Sequence, residues 1–124
     1  MIPLGNIRIL IVDDEEMLRD IMAEELRTAG YQVDVAEDPS SALEVLKKNP
    51  VQLILCDLQM PGGGGLSFFK RLREGKISDA PGVLVTGSEG PEESVRRALG
   101  IVDILAKPFG NEDMIAKIRG LTSS

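Results

Sequence analysis

The chain contains no histidine and no tryptophan, and only one cysteine, one tyrosine and three phenylalanines among its 124 residues. Each scarcity removes a class of function. Without histidine there is no imidazole to serve as general base, metal ligand or phosphohistidine carrier. Cys56 has no partner for an internal disulfide, which favours a reducing, cytoplasmic setting. Few aromatic rings are available to stack on a nucleobase or flavin. No apolar run approaches the length that spans a bilayer, and the apolar start MIPLGNIRILIV lacks the basic leader of a secretory signal, so neither membrane insertion nor export is expected. With 14 Lys and Arg against 20 Asp and Glu the net charge is −6, which argues against direct contact with nucleic acid.

What is present is an alternation of apolar runs with helical patterns. Apolar residues make up 43% of the chain, enough at this length for one core and one domain covering residues 1–124. Ile7–Val12, Leu53–Cys56 and Val83–Val85 are nearly continuous apolar runs, as expected of strands buried on both faces of a parallel sheet. Gln32–Ala36 and Val102–Leu105 are interrupted by Asp34 and Asp103 and read as edge strands. Between them, Leu18, Ile21, Met22, Leu26 and Ala29 keep helical spacing up to Gly30. Asp38-Pro39 gives an N-cap with proline at the first helical position. Leu66, Phe69 and Leu72 mark a third helix, Pro91 opens a fourth carrying Val95, Ala98 and Leu99, and a fifth starts near Asn111. Five strands and five helices in alternation predict an α/β, doubly wound, five-stranded parallel sheet of order 2-1-3-4-5, the flavodoxin-like arrangement.

In such a sheet the ligand site lies beyond the carboxyl ends of the strands. The residues standing there are Asp13 and Asp14, then Asp57, then Thr86, then Lys107-Pro108. Carboxylates gathered in one crevice repel one another unless a cation joins them, and Mg²⁺, an oxygen-seeking ion that keeps several waters, suits the set. Taken alone, Asp13-Asp14 would serve equally well as an N-cap, with Glu15 and Glu16 complementing the helix dipole. A lone Thr86 would be a cap and a lone Lys107 solvated surface. Together they supply what phosphoryl transfer to a carboxylate needs: an Asp nucleophile, a cation site, an ammonium and a hydroxyl.

In order along the chain stand ILIVDDEE, LILCDLQMPGGGGL, VLVTGSEG and DILAKPF. On these motifs the chain resembles the receiver domain of two-component response regulators, the CheY-like family, over a core from about residue 8 to 121. The resemblance implies that Asp57 is the phosphoacceptor, that Asp13, Asp14, Asp57 and the backbone carbonyl of Gln59 hold Mg²⁺, and that Thr86 and Lys107 act on the phosphoryl group, with Pro108 at the family's cis-proline position. It implies a sensor histidine kinase or phosphotransfer protein as donor, a downstream output domain or protein as recipient, and a role as switch rather than enzyme. Met60-Pro61 would turn the chain away from Asp57, and the glycines Gly62 to Gly65 would allow a close backbone path. The chain stops soon after the fifth helix with GLTSS, so it is expected to be a stand-alone regulator or a receiver taken from a longer protein.

Two features depart from the family pattern. Four glycines in a row exceed its need, and Ile104 stands where a Tyr or Phe often does. Phe109 reads as core or hinge packing. The rival reading is a Mg²⁺-dependent phosphatase with an Asp nucleophile, but such enzymes generally want a second acid two residues on, where Gln59 stands. A flavodoxin-like nucleotide binder would want stacking rings that are scarce here.

Overall fold

In the computed structural model, which describes residues 4–60 and 63–123, the apolar runs form five parallel strands: β1 (Arg8–Val12), β2 (Gln32–Ala36), β3 (Leu53–Asp57), β4 (Gly82–Thr86) and β5 (Ile101–Ala106). They pair in the order β2-β1-β3-β4-β5. The helices between them are α1 (Glu16–Thr28), α2 (Pro39–Lys48), α3 (Gly64–Glu74), α4 (Glu93–Ala98) and α5 (Asn111–Thr122), with a short 3-10 turn at Leu4–Asn6 that sequence patterning does not announce. The expected Met60-Pro61 turn and the start of the glycine run fall partly on Pro61 and Gly62, outside the described residues.

The continuous apolar runs are explained by two cores, one on each face of the sheet. Alternate strand residues Leu10, Val12, Ile54, Cys56 and Leu84 meet Leu46 of α2 and Phe68, Phe69 and Leu72 of α3. The intervening Ile9, Ile11, Leu53, Leu55, Val83 and Val85 meet Met22 and Leu26 of α1 and Met114 and Ile118 of α5. Each such side chain contributes about 1.5–3 kcal/mol by leaving water. The interrupted strands are the edges, as expected, and their acids are paired. Asp34 takes two hydrogen bonds of 3.1 Å from Arg8, and Asp103 lies 3.1 Å from Lys117.

Asp38 caps α2 with a reciprocal bond to Ser41, and Pro39 takes the first turn as the sequence predicts. The hydrogen bonds from Ser41 hold the Asp38 carboxyl below its usual range. The fourth helix departs from expectation. It begins at Glu93 behind an N-cap at Glu92 rather than at Pro91, and buries no side chain. Val95 and Ala98 face solvent, and only Leu99, just past the helix, packs on a core. A span of six residues is too short for apolar spacing to select a face. The junction behind it is held instead by Arg73 of α3, which donates 2.7 Å bonds to the carbonyls of Ser78, Ala80 and Leu99 while its guanidinium lies over Phe69.

Candidate functional site

The ladder continues past the strand ends and aligns the rim. Asp13 donates its N–H to Ala36, Leu58 to Val85, and Lys107 to Thr86. Beyond these bonds opens a cleft of about 480 Å³, lined by Asp14, Glu15, Asp57, Gln59, Thr86, Ser88 and Lys107. Asp13, Asp14 and Asp57 each bring a carboxylate oxygen to within 4.8 Å of the others.

Asp57 ends β3 and is only 6% exposed; one of its oxygens accepts the Gln59 N–H at 3.2 Å. Asp13 is buried as well. Its Oδ1 accepts the Glu15 N–H at 2.8 Å, Arg19 donates to its backbone carbonyl at 2.9 Å, and its Oδ2 is buried without a hydrogen-bond partner. Burial pushes the Asp13 carboxyl up, and the Asp57 charge adds to this against the Glu15 N–H and the Lys107 ammonium. An unpartnered buried oxygen beside two further carboxylates suits a hydrated hard cation, whose bound water could donate to it. Asp14, by contrast, is exposed to the cleft.

Lys107 reaches in from the end of β5, ahead of a cis peptide bond to Pro108. Its Nζ lies 3.5 Å from Asp57 Oδ2, 3.9 Å from Asp13 Oδ2 and 3.4 Å from Glu15 Oε1. Burial alone would lower its pKa, but the carboxylates of Asp57, Asp13 and Glu15 raise it overall, and the group stays an ammonium. Thr86 is buried at the end of β4, where its Oγ1 accepts the Ser88 N–H and shares a second 3.0 Å bond with the Ser88 hydroxyl. The neighbouring Cys56 thiol is pushed up by burial and by Asp57, so it remains protonated and inert.

All six residues expected from sequence therefore lie on one cleft or its wall. Neither Asp13 nor Asp14 is the N-cap residue of α1: that position is Glu15, whose side chain makes no capping bond and whose own N–H goes to Asp13. Two participants were not legible. Ser88 gives no signal beyond following Thr86 by two positions, and Glu15 read only as a dipole partner. Ile104 is half-buried behind the loop after β4. A Cβ placed on Gly90 would sit 3.0 Å from its Cδ1 and 3.9 Å from the Thr86 methyl. Phe109 packs partly on the α1/α5 core and, with Leu18 and Pro108, walls an apolar cleft of about 420 Å³ beside Lys107.

The sequence profile described as the response regulator receiver domain matches residues 9–119. The phosphate regulon transcriptional regulatory protein PhoB of Escherichia coli K12 is 38% identical over 117 residues, which are 92% of this chain and 51% of PhoB. The chain spans about half the length of the curated relatives it matches. Among solved structures, the chemotaxis protein CheY4 of Vibrio cholerae superposes with a TM-score of 0.85 at 29% identity, covering 93% of this chain and 98% of that one. The response regulator TrrA of Thermotoga maritima, solved in complex with Mg²⁺-BeF, gives 0.78 at 31% identity, covering 93% and 98%.

Proposed function

The chain belongs to the response regulator receiver domain family, and from that premise we propose that Asp57 accepts a phosphoryl group from the phosphohistidine of a sensor kinase or phosphotransfer protein. The observation that carries the reading is the carboxylate of Asp57, almost buried, set between two further acids and the Lys107 ammonium. Asp57 attacks phosphorus as the bond from phosphorus to the donor nitrogen breaks. Lys107 shields the negative oxygens, and the Thr86 hydroxyl turns from Ser88 toward the new phosphoryl group. Asp13, Asp14, Asp57 and the carbonyl of Gln59 would hold Mg²⁺, which when bound neutralises charge on the transferred group. The absence of histidine fits a chain that receives from a partner's histidine rather than carrying its own. A phosphatase reading is not favoured, given the family match and Gln59 two residues after Asp57.

The donor is expected on the face of α1. Met17 and Ile21 are exposed there beside the apolar cleft walled by Leu18, Pro108 and Phe109, which opens next to Lys107. No helix among the described residues is long and apolar enough to cross a membrane. We place the chain in the cytoplasm, where its kinase would deliver the phosphoryl group, as a stand-alone regulator or the receiver part of a longer one.

The test is direct. Incubated with acetyl phosphate and Mg²⁺, the protein should gain the mass of one phosphoryl group, lose it to hydroxylamine, and gain nothing when the metal is chelated. A gain that is indifferent to chelation or stable to hydroxylamine would overturn the reading.

Metal affinity should be modest, on the order of 1 mM, because few protein oxygens begin an octahedron that water and phosphate must complete. Asp14→Ala should weaken it most, as Asp14 faces the cleft while Asp13 is buried beneath it and acts through water. Calorimetric titration is the suitable measurement in a chain without Trp, and an unchanged isotherm in Asp14→Ala would contradict this placement.

Phosphorylation should move the output surface only slightly. Where other family members turn a ring inward, this chain has a β-branched Ile104 already lying against Gly90, with no hydroxyl to bury and little freedom at χ1. Backbone amide shifts with and without beryllofluoride should be large around Asp57 and small from Pro91 to Lys107. Equal changes in both regions would show that Ile104 does not blunt the switch.

A further inference from the structure

Of the three carboxylates around Lys107, the nearest belongs not to the acidic pair or to Asp57 but to Glu15, at 3.4 Å. Glu15 stands at the N-cap position of α1, yet its side chain makes no capping bond. Its N–H is committed to Asp13 Oδ1, which fixes its backbone beside the acidic pair. The side chain is 62% exposed and reaches over the cleft mouth to the ammonium. The geometry leaves it one partner in the site, and that partner is the residue assigned above to the phosphoryl oxygens.

When acetyl phosphate is the donor, an Asp57 oxygen bonds to phosphorus while the bond from phosphorus to the acetate oxygen breaks, and acetate leaves with the electron pair. Lys107 must then face the phosphoryl oxygens rather than Glu15. We propose that Glu15 is a positioning residue that restrains Lys107 in the resting protein and slows phosphorylation of Asp57. The inference rests on the assignment of Asp57 and Lys107 made above. Exposed ion pairs of this kind are weak, so the restraint adjusts the rate rather than blocking it.

The experiment is a double-mutant cycle on the full chain, followed by intact mass with acetyl phosphate and Mg²⁺. Glu15→Gln should accelerate phosphoryl gain about threefold, and in a Lys107→Met background the same substitution should change the rate by less than about 1.5-fold. In the metal-free protein, Glu15→Gln should also displace the Lys107 ¹³Cε resonance, a change that a purely structural role would not produce. Equal rates for wild type and Glu15→Gln would overturn the proposal. So would the same acceleration in both backgrounds, which would mean that Glu15 acts by repelling the anionic donor and not through Lys107. An unmoved Lys107 resonance counts against it as well. A wild-type protein that gains no phosphoryl group would overturn the assignment of Asp57, and the inference with it, whereas a labelled Asp57 with unchanged rates removes Glu15 alone.

Discussion

Asp57→Asn is expected to abolish phosphoryl gain from acetyl phosphate while leaving the fold intact. Asparagine has nearly the same shape, and its amide oxygen can still accept the 3.2 Å bond from the Gln59 N–H. What it loses is the nucleophile, because a neutral amide has no negatively charged oxygen to offer phosphorus. Neither neighbouring acid should substitute. Asp13 Oδ2 is sealed below the cleft, and burial raises the pKa of its carboxyl, which weakens its case as an anionic nucleophile. Asp14 is open to solvent and lacks the Lys107 contact that Asp57 enjoys. Intact mass after exposure to donor and Mg²⁺ should show no gain in this variant, with an unchanged circular dichroism spectrum. Labelling that persists would place the acceptor elsewhere and remove the assignment.

Gly64→Ala should lower stability by about 3 kcal/mol, a large loss for the addition of a single methyl group. Gly64 opens α3 at φ +73°, a region that costs an L-residue about 1–2 kcal/mol. Its Cβ would also stand 2.5 Å from the Leu58 carbonyl oxygen, a backbone atom that can yield only by shifting the chain, at a further cost of about 1–3 kcal/mol. The next residue is nearly as close. A Cβ on Gly65 would lie 2.8 Å from the carbonyl of Asp57 itself, so α3 rests directly on the backbone that presents the acceptor. Gly64→Ala should therefore lower the urea midpoint, drop Tm by roughly 10 °C, and slow phosphorylation as well. Gly120→Ala is the control. That position is exposed on α5 with nothing within 4 Å of the added carbon, and the change should stabilise by about 0.5–1 kcal/mol. If Gly64→Ala were as stable as wild type, the close packing of α3 on β3 would be wrong.

The four motif stretches were legible because they combine two strong local signals, an apolar run and a polar residue just past it. In an open parallel sheet that combination has few structural meanings. The sheet order followed from the acids interrupting β2 and β5, although their partners, Arg8 and Lys117, were not foreseeable from spacing. The fourth helix was legible, but its start at Glu93 rather than Pro91 and its lack of buried side chains were not, because Val95, Ala98 and Leu99 have helical intervals whether or not a core lies beneath them. The Glu15 contact was invisible for a different reason. Its partner is 92 residues away, and only the shared rim of β1 and β5 brings the two together.

That α4 buries no side chain has a thermodynamic consequence. Reversing a two-state population from 1:99 to 99:1 requires about 5.5 kcal/mol of differential binding. Had α4 seated two or three apolar side chains, each would have opposed displacement with about 1.5–3 kcal/mol, consuming most of that difference before any surface moved. Its anchors lie instead just past its C-terminal end, where Leu99 packs on a core and its carbonyl accepts from Arg73; the bond from Arg96 to the Pro91 carbonyl stays within the segment itself. The segment thus belongs to the low end of the molecule's local opening energies, and its amides should exchange with solvent well before those of β1, β3 and β4. Little packing energy is therefore stored against displacing α4, so the size of the response from Pro91 to Lys107 is left to Ile104 rather than to any core beneath the helix.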